Sequence, residues 1–296
     1  MNGAEGATGP TATRVFADHR DLLMAVAYRV LGRVCDAEDV VQEAWLRWST
    51  VRSEDVHNPR AYLVRVTTRL AIDRLRRVQA RREDYIGPWL PEPLLTTGDV
   101  SDDVARADSV SLAMLVVLET LSPLERAVFV LREAFSFSYS DIAEITGRSE
   151  PAVRQLAARA REHVAGNRPR FDADRSTRRR VTEQFLAACA SGNVQALLEL
   201  LAPDVTLVGD GGGRAKAPLR VINGAGKVAR FLIAIAADPA TAVLEVELME
   251  VNGGPAVVAS TAGVPVTMLA LDLADGLVQT VRLVANPDKL TGLTRR

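Results

Sequence analysis

The chain has 296 residues, 48% of them hydrophobic, with 36 basic and 37 acidic side chains and a formal net charge of -1. That length allows roughly two or three domains with proper cores, and the near-neutral sum excludes a uniformly basic nucleic-acid coat, so any anion-binding surface must come from local clusters. Cys35 and Cys189, far apart in sequence, exclude a disulfide framework or a cysteine zinc site, and no apolar run approaches the roughly 20 residues of a membrane span. The N-terminus carries no basic-then-apolar leader, so a soluble, cytoplasmic protein is expected. Residues 1–13, rich in Gly, Ala and Thr, read as a disordered N-terminus.

Arg14 to Leu31 has Phe16, Leu23, Val26, Ala27 and Val30 at helical spacing. Asp36 is expected to cap the next helix, which carries Val40, Val41, Ala44, Trp45 and Trp48 on one side and Glu38, Asp39, Gln42 and Glu43 on another. Asn58 and Pro59 have the pattern of an N-cap followed by proline at the first helical position. They open a long helix to about Arg82 with a core stripe of Leu63, Val66, Leu70 and Leu75. Arg65, Arg69 and Arg76 share one outer face, Arg74, Arg77 and Arg81 the adjacent one, and Asp73 is the single acid among them. Arginines at this density repel one another unless an anion compensates, and phosphate backbone matches the guanidinium fork.

Residues 83–109 change character. Gly87, Pro88, Pro91, Pro93 and Gly98 oppose regular structure, and Asp84, Glu92, Asp99, Asp102 and Asp103 make the segment acidic. It reads as a linker, yet Tyr85, Ile86, Trp89, Leu90, Leu94 and Leu95 are large apolar groups that predict docking on a surface. Helices resume at Val110. Ser122-Pro123-Leu124-Glu125 is a capping box, and the helix it starts leads through Phe129 and Leu131 into Ser138–Glu162. There Ser138 and Asp141 form a second capping box, Gly147 ends a short helix, and Ser149 with Pro151 starts another. Val153, Leu156, Ala157 and Ala160 are expected inside; Glu150, Arg154, Gln155, Arg159 and Arg161 outside. Helix, glycine turn and a second helix with a polar, basic face is the helix-turn-helix layout, whose second helix enters the major groove.

From Asn167 a basic junction (167–176) precedes a helix over Thr177–Ala190 and a second one capped by Asn193. Strands follow at Val205–Val208, Val243–Val251, Ala256–Thr261, Val264–Leu271 and Val278–Val284, with Asp275-Gly276 as a hairpin signal. Helices followed by an antiparallel meander predict an α+β domain. Catalysis in such a domain needs a proton-transfer pair. All three histidines (His19, His57, His163) and all four tyrosines precede the tail, which leaves Asp204, Asp210 and Asp272 without an oxyanion donor. The tail is read as non-catalytic, with no cofactor and no metal.

Taken jointly and in order, Asp36-Ala37-Glu38-Asp39-Val40-Val41-Gln42-Glu43-Ala44-Trp45, Asn58-Pro59-Arg60-Ala61-Tyr62-Leu63, Ala71-Ile72-Asp73-Arg74-Leu75-Arg76-Arg77 and the block from Ser122 to Glu162 resemble a bacterial RNA polymerase sigma factor of the extracytoplasmic-function (ECF) type. The tail resembles a SnoaL-like domain of the cone-shaped fold, as carried by one subgroup of these factors. Its marks are the linker Trp89-Leu90-Pro91-Glu92-Pro93-Leu94, then Asp210-Gly211-Gly212-Gly213 and Asn286-Pro287-Asp288-Lys289-Leu290. Arg214 departs from the lysine usual after the glycines and keeps the charge. The resemblance implies two all-α domains, region two (14–82) and region four (110–166), joined by the linker and followed by an α+β regulatory domain (177–296).

It further implies binding to core RNA polymerase, at the largest-subunit clamp and the flap region, and to promoter DNA. Asp39, Gln42, Glu43 and Trp45 are the implied polymerase contacts; Arg69, Asp73, Arg74 and Arg77 face the −10 element; Ser149, Glu150, Arg154 and Gln155 face the −35 element with Arg159 on phosphate. Tyr62 is the only aromatic between Val51 and Arg82, and strand opening costs about 1.4 kcal/mol per base step, so weak melting and a demand for a well-matched promoter are expected. The tail is expected to regulate in cis through Trp89, Leu90, Pro91, Leu94, Asp210, Gly211, Gly212, Gly213, Asn286, Pro287 and Asp288, without a membrane anchor or a separate anti-sigma protein. A one-component DNA-binding regulator with a ligand-sensing tail is the alternative from another class; an isomerase tail fused to a DNA-binding half is a third.

Overall fold

A computed structural model describes residues 10–52, 56–81, 85–96, 111–167 and 174–294. Of the disorder expected over 1–13, residues 1–9 lie outside these residues, as do the acids at 84, 99, 102 and 103 and Arg168 and Arg170 of the basic junction; residues 10–13 are instead helical. The chain falls into two compact units, one drawn from Met1–Glu83 and Val117–Asn167, the other from Asp84–Val116 and Arg168–Arg296.

The first unit is all-helical. Helices α1 (Pro10–Leu31), α2 (Val34–Ser49) and α3 (Pro59–Arg81) pack on one another through Leu23, Val26, Ala27, Val40, Ala44, Leu63 and Leu75, all buried. Val66, expected in that core, is only half-buried. Asp36 is not the cap of α2: the helix starts at Val34 after Arg33, with no side-chain cap. Asp36 lies inside the first turn, buried, where Arg74 of α3 holds it with two hydrogen bonds of 2.9 and 2.6 Å. A carboxylate in a first helical turn suits the helix dipole as well as a cap does, and the partner is 38 residues away, beyond any local reading. Asn58 does cap α3, accepting from Ala61 N–H at 3.0 Å.

The division between the units falls within α4 (Leu112–Leu118). Beyond it, α5 (Pro123–Phe129) opens on the Ser122/Glu125 capping box and runs into a π-helical turn, Val130–Ala134. Helix α6 (Tyr139–Thr146) opens on the Ser138/Asp141 box and stops at Gly147, left-handed at φ 66°. Helix α7 (Glu150–Asn167) buries Val153, Ala157, Ala160 and Val164. Arg126, fully buried, ties α5 to α1 by donating to the Arg29 carbonyl at 3.0 Å and to Glu119 at 2.8 Å.

The second unit is a sheet with helices on one face. Helices α8 (Arg175–Ala190) and α9 (Val194–Leu200) are capped by Asp174 and Asn193. The strands are β1 (Leu201–Asp210), β2 (Ile222–Asn223), β3 (Glu245–Val251), β4 (Gly254–Thr261), β5 (Val264–Ala274) and β6 (Leu277–Val284), in the order β2-β1-β6-β5-β4-β3. The antiparallel meander holds for β3 to β6, but β1 pairs with β6 in parallel, Leu207 opposite Val281. The structure adds β2 and, between β2 and β3, helix α10 (Ala225–Ala236), neither of which is expected from the sequence.

Three two-residue turns, Asn252-Gly253, Ala262-Gly263 and Asp275-Gly276, join β3 to β6 with both residues at φ between 49° and 78°. That is the mirror-image turn whose twist suits a hairpin. Strand alternation then sorts side chains between two cores. Val205, Leu207, Leu273 and Val281 meet Val181, Phe185, Leu197, Val228 and Leu232 of the helices. Val258, Met268 and Val284 meet Leu90 of the linker, Leu112, Leu290 and Leu293 on the opposite face.

Candidate nucleic-acid interface and linker dock

In α2, the apolar positions turn inward and leave Asp39, Gln42 and Glu43 exposed. Trp45 is half-buried and meets Phe16 edge-on with ring centroids 5.1 Å apart. Trp48 is fully buried, its indole N–H donating to the Ala12 carbonyl at 2.9 Å. One tryptophan is therefore core and the other borders the acidic face.

On α3 the expected DNA-facing residues divide. Arg77 and Asp73 are exposed; Arg77 donates to the Asp73 carbonyl at 3.3 Å, and the Asp73 carboxylate pairs with Arg76 at 3.1 Å. Arg74 lies across to α2, on Asp36 and also on Asp39 at 3.0 Å, which joins one expected DNA contact to one expected polymerase contact. The Asp36 hydrogen bond, followed by both carboxylate charges, raises the Arg74 guanidinium further above its ordinary value against the opposing effect of burial. Arg69 lies at the C-terminal end of α6, donating to the Ile145 carbonyl at 2.8 Å and the Glu144 carbonyl at 3.1 Å, and Arg65 pairs with the Glu144 carboxylate at 2.9 Å. Those carbonyls belong to the last turn of α6, where a cation is favoured. A cleft of about 180 Å³ opens beside this contact, lined in part by Arg60, Arg65, Phe137 and Glu144.

On the helix-turn-helix, Ser149, Arg154, Gln155 and Arg159 are exposed and Glu150 is half-buried. Arg154 pairs with Glu150 one turn before it at 2.5 Å, and Arg159 lies 3.7 Å from Glu125.

The linker is docked inside the second unit. Asp210, at the end of β1, is completely buried, and three groups converge on it. Oδ2 accepts from the Leu90 backbone N–H at 2.7 Å and from Lys289 Nζ at 2.6 Å, and Oδ1 accepts from the Tyr85 hydroxyl. Lys289 Nζ also donates to the Leu90 carbonyl at 2.6 Å and lies 3.1 Å above the centre of the Trp89 ring. A charge this far from water survives only when paired and fully hydrogen-bonded, and both conditions are met.

Asn286 completes the arrangement. Its side-chain amide donates to the Tyr85 hydroxyl at 2.9 Å, and its backbone N–H donates to the Asp210 carbonyl at 3.0 Å. Gly211 to Arg214 form a tight turn in which Gly212 and Gly213 take φ of 57° and 72°, and a Cβ at Gly212 would run into Asn286 and the Tyr85 hydroxyl. Arg214 pairs with Asp288, so the departure from lysine keeps an ion pair. Pro91 is buried; Leu94 is half-buried and exchanges hydrogen bonds with Asn252 at 3.0 and 2.9 Å.

Two expectations change here. A tyrosine does accompany an aspartate of the tail, because the linker delivers Tyr85 to Asp210. Lys289, within the Asn286–Leu290 motif, supplies the countercharge; its signal in the sequence is a lysine in a chain whose cations are nearly all arginine. A second buried pair, Asp272 with Arg282, joins β5 to β6 at 2.5 Å, and burial pushes the Asp272 carboxyl up while Arg282 pulls it down. Among the described residues no three His, Cys, Asp or Glu side chains stand close enough to hold a metal ion.

Residues 15–82 match the family described as Sigma-70 region 2, and residues 111–164 match Sigma-70, region 4. The ECF RNA polymerase sigma factor SigJ of Mycobacterium tuberculosis is 40% identical over 287 residues, covering 92% of this chain and 91% of that protein. The chain belongs to the ECF RNA polymerase sigma factors. Probable ECF sigma factor SigI of the same organism is 34% identical over 278 residues, covering 93% of each. The crystal structure of the M. tuberculosis ECF sigma factor SigJ superimposes with a TM-score of 0.75 at 36% identity, covering 95% of this chain and 98% of that one. The match runs through the tail, so this ECF sigma factor has two helical sigma regions followed by a SnoaL-like α+β domain. It is a transcription initiation factor. Among the described residues no helix is long and apolar enough to cross a membrane.

Proposed function

We propose that the protein is an alternative sigma factor that binds core RNA polymerase, reads promoter −10 and −35 elements, and is regulated in cis by its SnoaL-like domain. Asp39, Gln42, Glu43 and Trp45 form the polymerase contact, α3 meets the −10 element, and α7 meets the −35 element. The protein works in the cytoplasm with the polymerase. The observation that carries the regulatory half is the buried Asp210–Lys289 pair, which fixes the linker between the two sigma regions to the C-terminal sheet. The carboxylate has its oxygens occupied by Tyr85, Leu90 and Lys289, which supports a structural use of Asp210 over proton transfer. No separate anti-sigma protein is then required.

In the free protein Arg65 and Arg69 are engaged by α6. Promoter entry therefore involves parting α3 from α6. Run-off transcription with core polymerase tests the whole reading, comparing full-length protein, a truncation after Arg170 and Trp89→Ala. The truncation is expected to change promoter output and Trp89→Ala to reproduce part of that change. Equal output from all three refutes regulation in cis. Duplex DNA binding that needs no polymerase refutes the sigma-factor reading.

A further inference from the structure

Tyr139 is the first residue of α6, directly after the Ser138 cap, and its surroundings are cationic. The Arg154 guanidinium carbon lies 4.5 Å from the ring centroid and that of Arg132 lies 4.6 Å from it. Arg161 donates to the Tyr139 hydroxyl at 2.8 Å. All three arginines have a second anchor: Arg132 on the Phe137 carbonyl at 2.9 Å, Arg161 on Glu133 at 2.8 Å and Arg154 on Glu150 at 2.5 Å. The ring is thus held by groups on α7 and on the π-helical turn, independently of Arg154. Arg154 is more exposed than Arg161, with 59% of its side chain open to solvent against 44%.

We infer that Tyr139 is a positioning residue for Arg154, setting the guanidinium for base reading at the −35 element. The inference rests on the reading of α7 as the recognition helix. A guanidinium reads guanine O6 and N7 through in-plane N–H groups. Stacking on an aromatic ring uses its face and leaves that plane open. Glu150 takes one edge, accepting from Nε and Nη2, which leaves Nη1 and the outer edge for a base. An unsupported arginine has many rotamers to give up when it reads a base; a stacked one has already lost part of that freedom. The ring also fixes the height at which the guanidinium leaves the helix, so Tyr139 governs which base pair is read.

The test uses holoenzyme reconstituted from core polymerase and full-length protein. A promoter is first selected from a library randomised at −35, and run-off yields are then compared across every single −35 substitution. Arg154→Ala is expected to abolish discrimination at one G·C position. Tyr139→Leu is expected to lower discrimination at that same position by about three- to five-fold, the scale of an exposed cation–π contact, and to leave the others unchanged. Tyr139→Phe keeps the ring and is expected to stay within about two-fold of the parent. Adding Tyr139→Leu to Arg154→Ala is expected to change nothing further.

An additive double variant, or a loss spread evenly over all promoters by Tyr139→Leu, overturns the inference. Arg154→Ala with full discrimination at every −35 position overturns base reading by α7, and the role of Tyr139 with it.

Discussion

Lys289 offers the sharpest perturbation. Its side chain is 2% exposed and that of Asp210 is 0% exposed, at a separation of 2.6 Å. Lys289→Met keeps the length and the apolar stem while deleting the charge, so the consequence is electrostatic rather than steric. Asp210 is then a buried carboxylate holding only the Leu90 N–H and the Tyr85 hydroxyl. Removing one partner of a buried pair costs about 3–5 kcal/mol. For a unit of this size each kcal/mol corresponds to about 2–4 °C, so the transition that unfolds the C-terminal sheet should fall by roughly 10 °C.

Adding Asp210→Asn removes the stranded charge and keeps a carbonyl for the Leu90 N–H. The double variant should recover more than half of the loss, because what remains is an imperfect neutral hydrogen-bond set worth about 1–2 kcal/mol. Calorimetry of the full-length chain measures both, and protease cleavage between Tyr85 and Thr96 reports release of the linker. A single variant that melts like the parent, or a double variant worse than the single, would refute the account of Asp210 as a charge that depends on Lys289.

Gly212→Ala should loosen the same dock, since it combines a left-handed φ of 57° with a Cβ directed at Asn286 and Tyr85; faster proteolysis of the linker is the check, and Gly263→Ala, which has open space around its Cβ despite φ 75°, serves as the strain-only control. Glu144→Lys sets a like charge against Arg65 and should quicken holoenzyme binding to a pre-melted promoter by about two- to five-fold, the scale of an exposed pair; an unchanged rate argues against α3 and α6 parting on entry. Burial pushes the half-buried Cys189 thiol up to about 12, so a thiol reagent at pH 8 should label the exposed Cys35 well before Cys189. Asp174 is held down to about 2, first by the Ser176 hydroxyl and then by the Thr177 N–H. A carboxyl lowered by folding stabilises above its unfolded value and loses that contribution as pH falls, so the start of α8 should fray between about pH 4 and pH 2, and Asp174→Asn should flatten that dependence in amide exchange.

Features whose cause is local were legible in the residues themselves. The Ser122/Glu125 and Ser138/Asp141 boxes, the stop at Gly147 and the Asp275-Gly276 turn each depend on neighbours within four positions, and the structure has them all. Helix α10 carries no start signal in the sequence, because it follows Gly224, at φ 92° and without a side-chain cap. The two residues of β2 are too short for alternation to register. The parallel partnering of β1 with β6 follows from how the sheet folds over its helices, which no single strand encodes.

At the candidate site, the arginine density of α3 and the apolar content of the linker were readable. What each group touches was not. Arg74 finds Asp36 across 38 residues and Tyr85 finds Asp210 across 125. Tyr85 also shows how counting titratable groups within one domain misleads when a neighbouring segment reaches into it.

The lysine that clamps the linker stands 199 residues after the Leu90 carbonyl it holds. Ribosomes add about 5–20 residues per second, so some 10–40 seconds of synthesis separate the two. Region four is complete at residue 164, so for about 6–25 seconds of that interval both sigma regions are made while their tether lacks its fastener. In a nascent copy the linker therefore waits, until near the end of synthesis, for a single ammonium group to reach a buried carboxylate.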